Sequence, residues 1–343
     1  MKLRFVTLIV ALSTLLAACS APIESPPRAG ESTIPAATQG GKPDELTVGL
    51  TYIPDIQFAP FYVADKRGYF TDENLAVTLR HHGAGESLFG ALAAGDEDIV
   101  NAGADEMVQA RSQGVGVTAF AQMYQHYPVV LITPESSGIT SLKDLKGKRI
   151  GVPGPFGENW FALLALLEQE GLSQSDVTIE NIGYTSQAAL LTEKVDAVMG
   201  FTNSDVVNFK AAGIKVRTFA INDNPLKSIA LGATDAAIKE RPEVLARFRK
   251  ALARAMSDIK ADPAAAVTDS FDYLPKVAGA NKIKQAEDVL RETAALYGDE
   301  PLAIEPDAWP AMADFLQRHG LLGGNVDPVQ AVNNLSGNKN KAD

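Results

Sequence analysis

The sequence predicts an α/β protein of two lobes joined by a hinge of two crossing segments. Short apolar or β-branched runs alternate with helical segments, and glycine repeatedly ends the helices. This alternation of strands and helices is typical of a parallel sheet with helices on both faces. It runs once from Leu46 to Thr133 and begins again near Leu142, so each unit is smaller than a typical domain.

Each predicted element rests on a local pattern. LTVGLT at 46–51 is apolar and β-branched, and LAVTLR at 75–80 alternates as a half-buried strand does. The strands of the first unit are predicted at 46–51, 75–80, 98–102, 115–123 and 129–133, and its helices at 58–66, 86–94 and 105–112. Gly68, Gly95 and Gly114 end these helices.

The second unit repeats the rhythm. Its strands are predicted at 149–152, 177–182, 195–199 and 216–221, and its helices at 158–169, 188–193 and 205–212. A strand-like run at 229–234 and helices over 241–260, 284–297 and 307–318 follow. The extended segments 127–137 and 222–234 join the units and form a hinge, so the expected ligand site is the cleft between the lobes.

Composition excludes several classes of protein. The chain has 343 residues, 46% of them hydrophobic and 21% charged, which are ordinary values for a soluble globular protein. With 31 basic and 42 acidic residues the net charge is −11, which argues against a nucleic-acid partner because such binding needs a clustered basic face. The single cysteine forbids an intrachain disulfide.

The amino terminus predicts export and lipidation. Lys2 and Arg4 precede an apolar run at 5–16 that is too short to span a membrane, as in a secretory signal. Leu16-Ala17-Ala18-Cys19 resembles the lipobox of bacterial lipoproteins, which implies a signal peptide at 1–18 and lipidation of Cys19. The proline-rich segment 19–44 then reads as a tether to the extracytoplasmic side of the cell membrane. A secreted protein cut near Ala18 is the alternative.

Four blocks resemble the type II periplasmic substrate-binding proteins of ABC importers. These blocks are Gly68–Phe70 with Asn74–Leu79, Ala91–Ile99, Leu142–Val152 and Lys194–Val198. They occur in the family's order within residues 46–260. The resemblance implies a two-lobed periplasmic-binding-protein-like (type II) fold. Lobe one would comprise 45–133 and 228–335, and lobe two 134–227.

Three longer blocks resemble the branch of this family that binds thiamine-precursor pyrimidines or riboflavin. They are Tyr52–Ala64, Arg80–Ala84 and Ala104–Gly114, and they look most like the riboflavin-binding lipoproteins. The resemblance implies capture of riboflavin and its delivery to an ABC transporter permease. A thiamine-precursor pyrimidine is the alternative ligand. An enzyme on the same fold is the other alternative, but the cysteine-rich stretch of the eukaryotic pyrimidine synthases is missing, so no catalytic residues are expected.

Residues just after the strands predict the chemistry of the cleft. They include aromatics, amides and carboxylates but no Lys or Arg, which favours a flat, neutral or cationic ligand over an oxyanion. Aromatic rings would stack on a heterocycle, and amides and carboxylates would bind its edge. The predicted ligand-binding residues are Tyr52, Asp55, Gln57, Phe58, Glu86, Asp105, Tyr127, Phe156, Glu158, Trp160, Tyr184 and Asn203.

The remaining polar motifs predict no further chemistry. His81 and His82 are adjacent at a strand end, where successive side chains point to opposite faces, so they are poorly placed to share a metal. They are interpreted as structural or solvated residues, with His82 placed within reach of the cleft. The sequence therefore predicts neither a metal site nor a cofactor.

Overall fold

A computed structural model describes residues 41–83, 86–274 and 279–335 of the chain. The predicted signal peptide and Cys19 lie outside the described residues, as do positions 19–40 of the predicted tether and Ala84 of the block Arg80–Ala84. In the described ranges no helix is long and apolar enough to cross a membrane.

The first sheet contains five strands. They are β1 (Asp44–Leu50), β2 (Leu75–His81), β3 (Ile99–Gly103), β4 (Val117–Gln122) and, from a later part of the chain, β10 (Ile229–Thr234). Their order is β2-β1-β3-β10-β4. β1 pairs in parallel with β2 and β3, whereas β10 runs antiparallel to β3 and β4. The carboxyl ends of β1, β2 and β3 therefore share one edge of the sheet.

The second sheet also contains five strands. They are β5 (Val129–Pro134), β6 (Arg149–Val152), β7 (Thr178–Asn181), β8 (Ala197–Phe201) and β9 (Val216–Phe219). Their order is β7-β6-β8-β5-β9. β6 is parallel to β7 and β8, and β5 is antiparallel to β8 and β9. The loops that follow β6, β7 and β8 therefore begin at a common edge.

Three sequence-based expectations were wrong. Each sheet is mixed rather than parallel, because β10 and β5 run against their neighbours. The strand predicted at 129–133 and assigned to lobe one pairs within the second sheet. Buried strands show the same apolar run in either direction and in either sheet, so periodicity carried no signal for these differences. The chain crosses between the sheets over 123–128 and 220–228, rather than over the predicted 127–137 and 222–234.

Twelve α-helices are present in the described ranges. They are α1 (Ala59–Lys66), α2 (Tyr69–Asp72), α3 (Gly90–Ala94), α4 (Ala104–Ser112), α5 (Gly157–Gln169), α6 (Ser186–Leu191), α7 (Val207–Ala211), α8 (Asp235–Glu240), α9 (Pro242–Ala261), α10 (Pro263–Asp269), α11 (Ala280–Leu296) and α12 (Trp309–Arg318). α9 buries Leu245, Phe248 and Leu252 at helical spacing, which explains why the sequence predicted it well. The short helices α2, α8 and α10 were not predicted.

The two lobes are in contact through a shared apolar cluster. It includes Val100 and Met107 of the first lobe and Leu131 and Phe161 of the second, all of them fully buried. The first crossing segment is also bonded to the start of β10, which follows the second crossing segment, since Met123 N–H donates to Ile229 O at 2.8 Å. The structure therefore holds the lobes together, with the strand-end loops facing one another.

Candidate functional site

The cleft between the lobes is lined by loops that follow strands. The loop after β1 carries Tyr52 and Asp55, and the turn after β7 carries Tyr184. The rings of Tyr52 and Tyr184 meet edge to face, with centroids 5.2 Å apart and planes at 78°. Tyr184 remains 63% exposed, so much of its ring is open to a ligand. The structure thus brings two of the predicted aromatic residues together across the cleft.

The loop after β1 is shaped by its own side chains. The carboxylate of Asp55 accepts a hydrogen bond from Gln57 N–H at 3.0 Å and so begins the 3₁₀ turn Ile56–Phe58. Burial raises the pKa of Asp55. Phe58 is buried in the apolar core of the first lobe, whereas Gln57 is half-buried. Asp55 therefore has a capping role in addition to its predicted role toward ligand.

Three carboxylates meet where the lobes touch. Asp105 and Glu106 lie in the first turn of α4, and Glu158 lies in the first turn of α5. A Cβ atom on Gly103 would lie only 2.6 Å from Asp105 Oδ1 and 3.1 Å from Glu158 Cγ. A Cβ atom on Gly157 would lie 2.8 Å from Glu106 Oε1. The two glycines therefore permit the close approach of acidic residues from opposite lobes.

This proximity changes the protonation of the acidic residues. Burial, followed by the nearby Glu158 and Glu106, raises the pKa of Asp105 well above its ordinary value. Burial and then Glu106 raise the pKa of Glu158 in the same direction. Like charges in a dry site cannot all ionise, so the group retains protons at a pH where isolated carboxyls would lose them. In the described ranges no cluster of His, Cys, Asp or Glu is suited to hold a metal ion.

Polar atoms beside the carboxylates are positioned for a ligand with hydrogen-bond donors. The Tyr127 hydroxyl donates to the Glu158 backbone carbonyl at 3.2 Å and lies 3.5 Å from Asp105 Oδ2. The buried Asn203 amide donates to Thr293 Oγ1 at 2.9 Å. Within the described part of the chain, Asn203 Oδ1 and Glu158 Oε1 are buried without a hydrogen-bond partner. Buried polar atoms are usually paired in folded proteins, so these two acceptors are candidates for contact with a bound molecule.

Other predicted site residues lie in different surroundings. Glu86 forms an ion pair with Arg80. Trp160 is 8% exposed and belongs to the shared apolar cluster, so its indole is a core side chain in this arrangement. Phe156 is 55% exposed, and its ring lies so close to Gly154 that a Cβ atom there would be 2.2 Å from the ring. Of these three, Phe156 offers the most open surface.

The structure adds residues that the prediction omitted. Glu106 and Asp205 also lie just after strands, the position that indicated the other site residues, but the predicted ligand-binding residues do not include them. Asp205 accepts from Phe201 N–H at 2.9 Å, and burial raises its pKa, with Asp55 adding to the shift. His82 lies away from these groups, since it is buried and bonded to Glu97 at 2.8 Å.

Comparison with known proteins relates the chain to two kinds of protein. Riboflavin-binding protein RibY of Chloroflexus aurantiacus is 31% identical in an alignment of 343 positions that covers 97% of each chain. A 4-amino-5-hydroxymethyl-2-methylpyrimidine phosphate synthase of Aspergillus parasiticus is 24% identical over 300 residues, which are 83% of this chain and 85% of the synthase. The first is named as a binding protein and the second as an enzyme.

A solved structure and a family model complete the comparison. The alkanesulfonate-binding protein SsuA from Xanthomonas axonopodis pv. citri has a TM-score of 0.68 and 18% identity over 85% of this chain and 99% of its own. This likeness confirms the predicted two-lobed α/β fold. The NMT1/THI5-like model matches residues 55–266. Since the match covers most of the described residues, and RibY aligns along nearly its whole length, the chain belongs to the NMT1/THI5-like family.

Proposed function

We propose that the chain is the lipid-anchored substrate-binding component of an ABC transporter, which captures riboflavin and delivers it to the membrane permease. The observation that carries the proposal is the alignment with RibY, which spans 97% of both chains at 31% identity. A fold shared with an alkanesulfonate-binding protein supports a solute-binding role outside the cytoplasm. Any hydrolysis of ATP would take place on another subunit.

The chemistry of the cleft supports a flat ligand with several donors. Riboflavin combines a planar ring system with a ring N–H and a chain of hydroxyl groups. Tyr52 and Tyr184 offer aromatic surface, and stacking on such rings contributes about 1–3 kcal/mol per face. The unpartnered acceptors Glu158 Oε1 and Asn203 Oδ1 suit ring N–H and hydroxyl donors.

A thiamine-precursor pyrimidine is the second candidate ligand. The acidic cleft favours it, because Asp105, Glu106 and Glu158 lie together and would stabilise an amino group or a protonated ring. Relatives named as pyrimidine phosphate synthases are also similar to this chain, at 24% identity or less. An enzyme is disfavoured, since the relative that aligns along nearly the whole chain is named as a binding protein.

Titration of the full chain, purified in detergent, with riboflavin tests the proposal. We expect saturable quenching of flavin fluorescence with one site per chain, and recovery of unchanged riboflavin afterwards. A thermal shift with an aminopyrimidine and none with riboflavin would transfer the proposal to the second ligand. Conversion of either molecule would indicate an enzyme. The double variant Asn203→Asp with Glu158→Gln exchanges the amide and the carboxyl of the two acceptors, and we expect it to bind riboflavin more weakly than the parent.

The anchor is proposed from the sequence and is tested separately. We propose that residues 1–18 are removed, that Cys19 receives acyl chains, and that 19–44 tethers the body to the outer face of the cell membrane. Cells that express the full chain should incorporate labelled palmitate into it. Cys19→Ser should abolish the label, and Ser25→Ala in the tether should retain it. A label that persists in Cys19→Ser would refute lipidation at this residue.

A further inference from the structure

His81 lies directly beneath the loop that carries Tyr52. It is the last residue of β2, and β2 pairs with β1, the strand that leads into this loop. The His81 Nδ1 atom is 3.0 Å from the Tyr52 carbonyl oxygen, and Nε2 is 2.9 Å from the Tyr62 hydroxyl. Its ring also meets Phe58 edge to face, with centroids 5.3 Å apart. One imidazole therefore joins the cleft loop to helix α1.

The partners of His81 determine which nitrogen carries the proton. A carbonyl oxygen only accepts, so Nδ1 must donate to Tyr52. In the neutral ring Nε2 then accepts from the Tyr62 hydroxyl. Burial lowers the pKa of His81 from its ordinary value, against the opposing hydrogen bond to Tyr52 and with a smaller contribution from His82, which favours this neutral form at neutral pH. The arrangement is consistent only with the tautomer protonated at Nδ1.

Tyr62, the partner of His81 Nε2, is held in place by packing and by its neighbours. Tyr62 is fully buried, and its ring stacks on Tyr273 with centroids 4.5 Å apart and planes at 8°. The Tyr273 hydroxyl donates to Asp65 on α1. The titratable groups near the imidazole are Tyr62, Asp55 beside the Tyr62 hydroxyl, and the adjacent His82. The Tyr52 carbonyl is therefore tied to a rigid part of lobe one.

We propose that His81 is a positioning residue of the ligand site, which holds the Tyr52 backbone so that the Tyr52 ring meets Tyr184 across the cleft. The inference rests on the proposed function and extends it, because it identifies what orients one of the aromatic side chains. His81 itself does not contact the ligand. Its hydrogen bond to the Tyr52 carbonyl determines the position of the Tyr52 ring in the cleft.

This role predicts a particular dependence on pH. Protonation places a second hydrogen on Nε2, which then no longer accepts from Tyr62, and the hydroxyl must turn to become an acceptor. The hydrogen bond to Tyr52 survives, but its support from α1 is changed. Loss of a whole hydrogen bond corresponds to about a fivefold change in affinity, which is the upper limit for this rearrangement because neither bond is lost. We expect riboflavin affinity to fall, by no more than this factor, as the pH drops through the His81 pKa.

Two substitutions separate the nitrogens of His81. In His81→Asn the amide nitrogen lies near the Nδ1 position and donates to Tyr52, and in His81→Gln the longer side chain reaches Tyr62 instead. We expect Asn to retain riboflavin affinity and to lose the part of its pH dependence that comes from His81, and Gln to lose about fivefold or more in affinity. Both variants should show similar thermal midpoints. Equal affinities in the two variants, or an unchanged pH profile in His81→Asn, would overturn the proposal.

Nuclear magnetic resonance tests the geometry without any ligand. Nitrogen shifts of the His81 ring should show the tautomer protonated at Nδ1. The nuclear Overhauser effect between the Tyr52 and Tyr184 rings should persist in His81→Asn and vanish in His81→Gln. The opposite tautomer, or a ring contact unaffected by either variant, would refute the positioning role. If riboflavin fails to bind the unmodified protein, the proposed ligand is wrong while this measurement still decides the role of His81.

Discussion

Gly157→Ala should weaken ligand capture as well as folding, because this glycine lies where the lobes touch. It begins α5 with a φ angle of +71°, and a Cβ atom there would lie 2.8 Å from Glu106 Oε1 of the opposite lobe. Gly171, just beyond the end of the same helix, has a φ of +66° with nothing within 4 Å of its Cβ position. Gly171→Ala is therefore a control with the same backbone strain and no crowding.

The structure separates the cost of backbone strain at the glycine from the cost of crowding Glu106. A left-handed backbone costs a residue with a side chain about 1–2 kcal/mol, and both variants carry that cost. Only Gly157→Ala also displaces the Glu106 carboxylate, whose other oxygen accepts from Gly103 N–H at 2.9 Å. Loss of that hydrogen bond would add about 1 kcal/mol. The expected difference between the variants is about 1 kcal/mol in unfolding, or about fivefold in affinity.

Urea unfolding and riboflavin titration of the full chain measure these quantities. We expect both variants to lose stability and only Gly157→Ala to lose affinity. Equal affinities for the two variants would show that Glu106 does not approach Gly157 in the ligand-bound protein. A larger loss of affinity in Gly171→Ala would contradict the assignment of the cleft to this end of α5.

Three further substitutions test the interior. The raised pKa of Glu158 means that the folded state binds protons more tightly than the unfolded state, so its contribution to stability is lost as pH rises through that pKa. Glu158→Gln should therefore unfold at higher urea concentration than the parent at pH 8, with a smaller difference at pH 4.5. Trp160→Ala should reduce the free energy of unfolding by about 3–5 kcal/mol, because it removes a buried core ring, and an unchanged urea midpoint would refute this placement. Gly49→Ala should lower the thermal midpoint, since its Cβ atom would lie 2.1 Å from Glu97 Oε2, whereas Gly41→Ala, with nothing within 4 Å, should not.

Much of the fold was predictable because its signals are local. The long helix α9 was predicted within a residue at each end, since its apolar residues recur at helical spacing between a proline at its start and Lys260 in its last turn. The alternation that predicted β2 is visible in six residues. Neither the direction of β5 nor the sheet to which it belongs was predictable in this way, because a fully buried strand shows the same apolar run in either direction and in either sheet.

The candidate site was predictable in part. Position after a strand correctly indicated that Tyr52 and Tyr184 would lie at the edges of their sheets, and the structure shows their rings in contact. The same rule placed Trp160 near the ligand, but one helical turn is enough to rotate a side chain into the core. His81 was interpreted as structural or solvated, and no local pattern shows that its ring bonds the loop above it.

The sequence by itself determined the order of strands and helices, the division into two α/β units and the acidic character of the strand-end loops. Those properties depend on residues a few positions apart, so they can be predicted without knowledge of the folded chain. Only the tertiary structure decided that Glu106 faces Gly157, that Asp105 and Glu158 share a buried space, and that His81 supports Tyr52. Each of these contacts joins residues distant along the chain, and burial against the opposite lobe or strand, rather than local spacing, determines their chemistry.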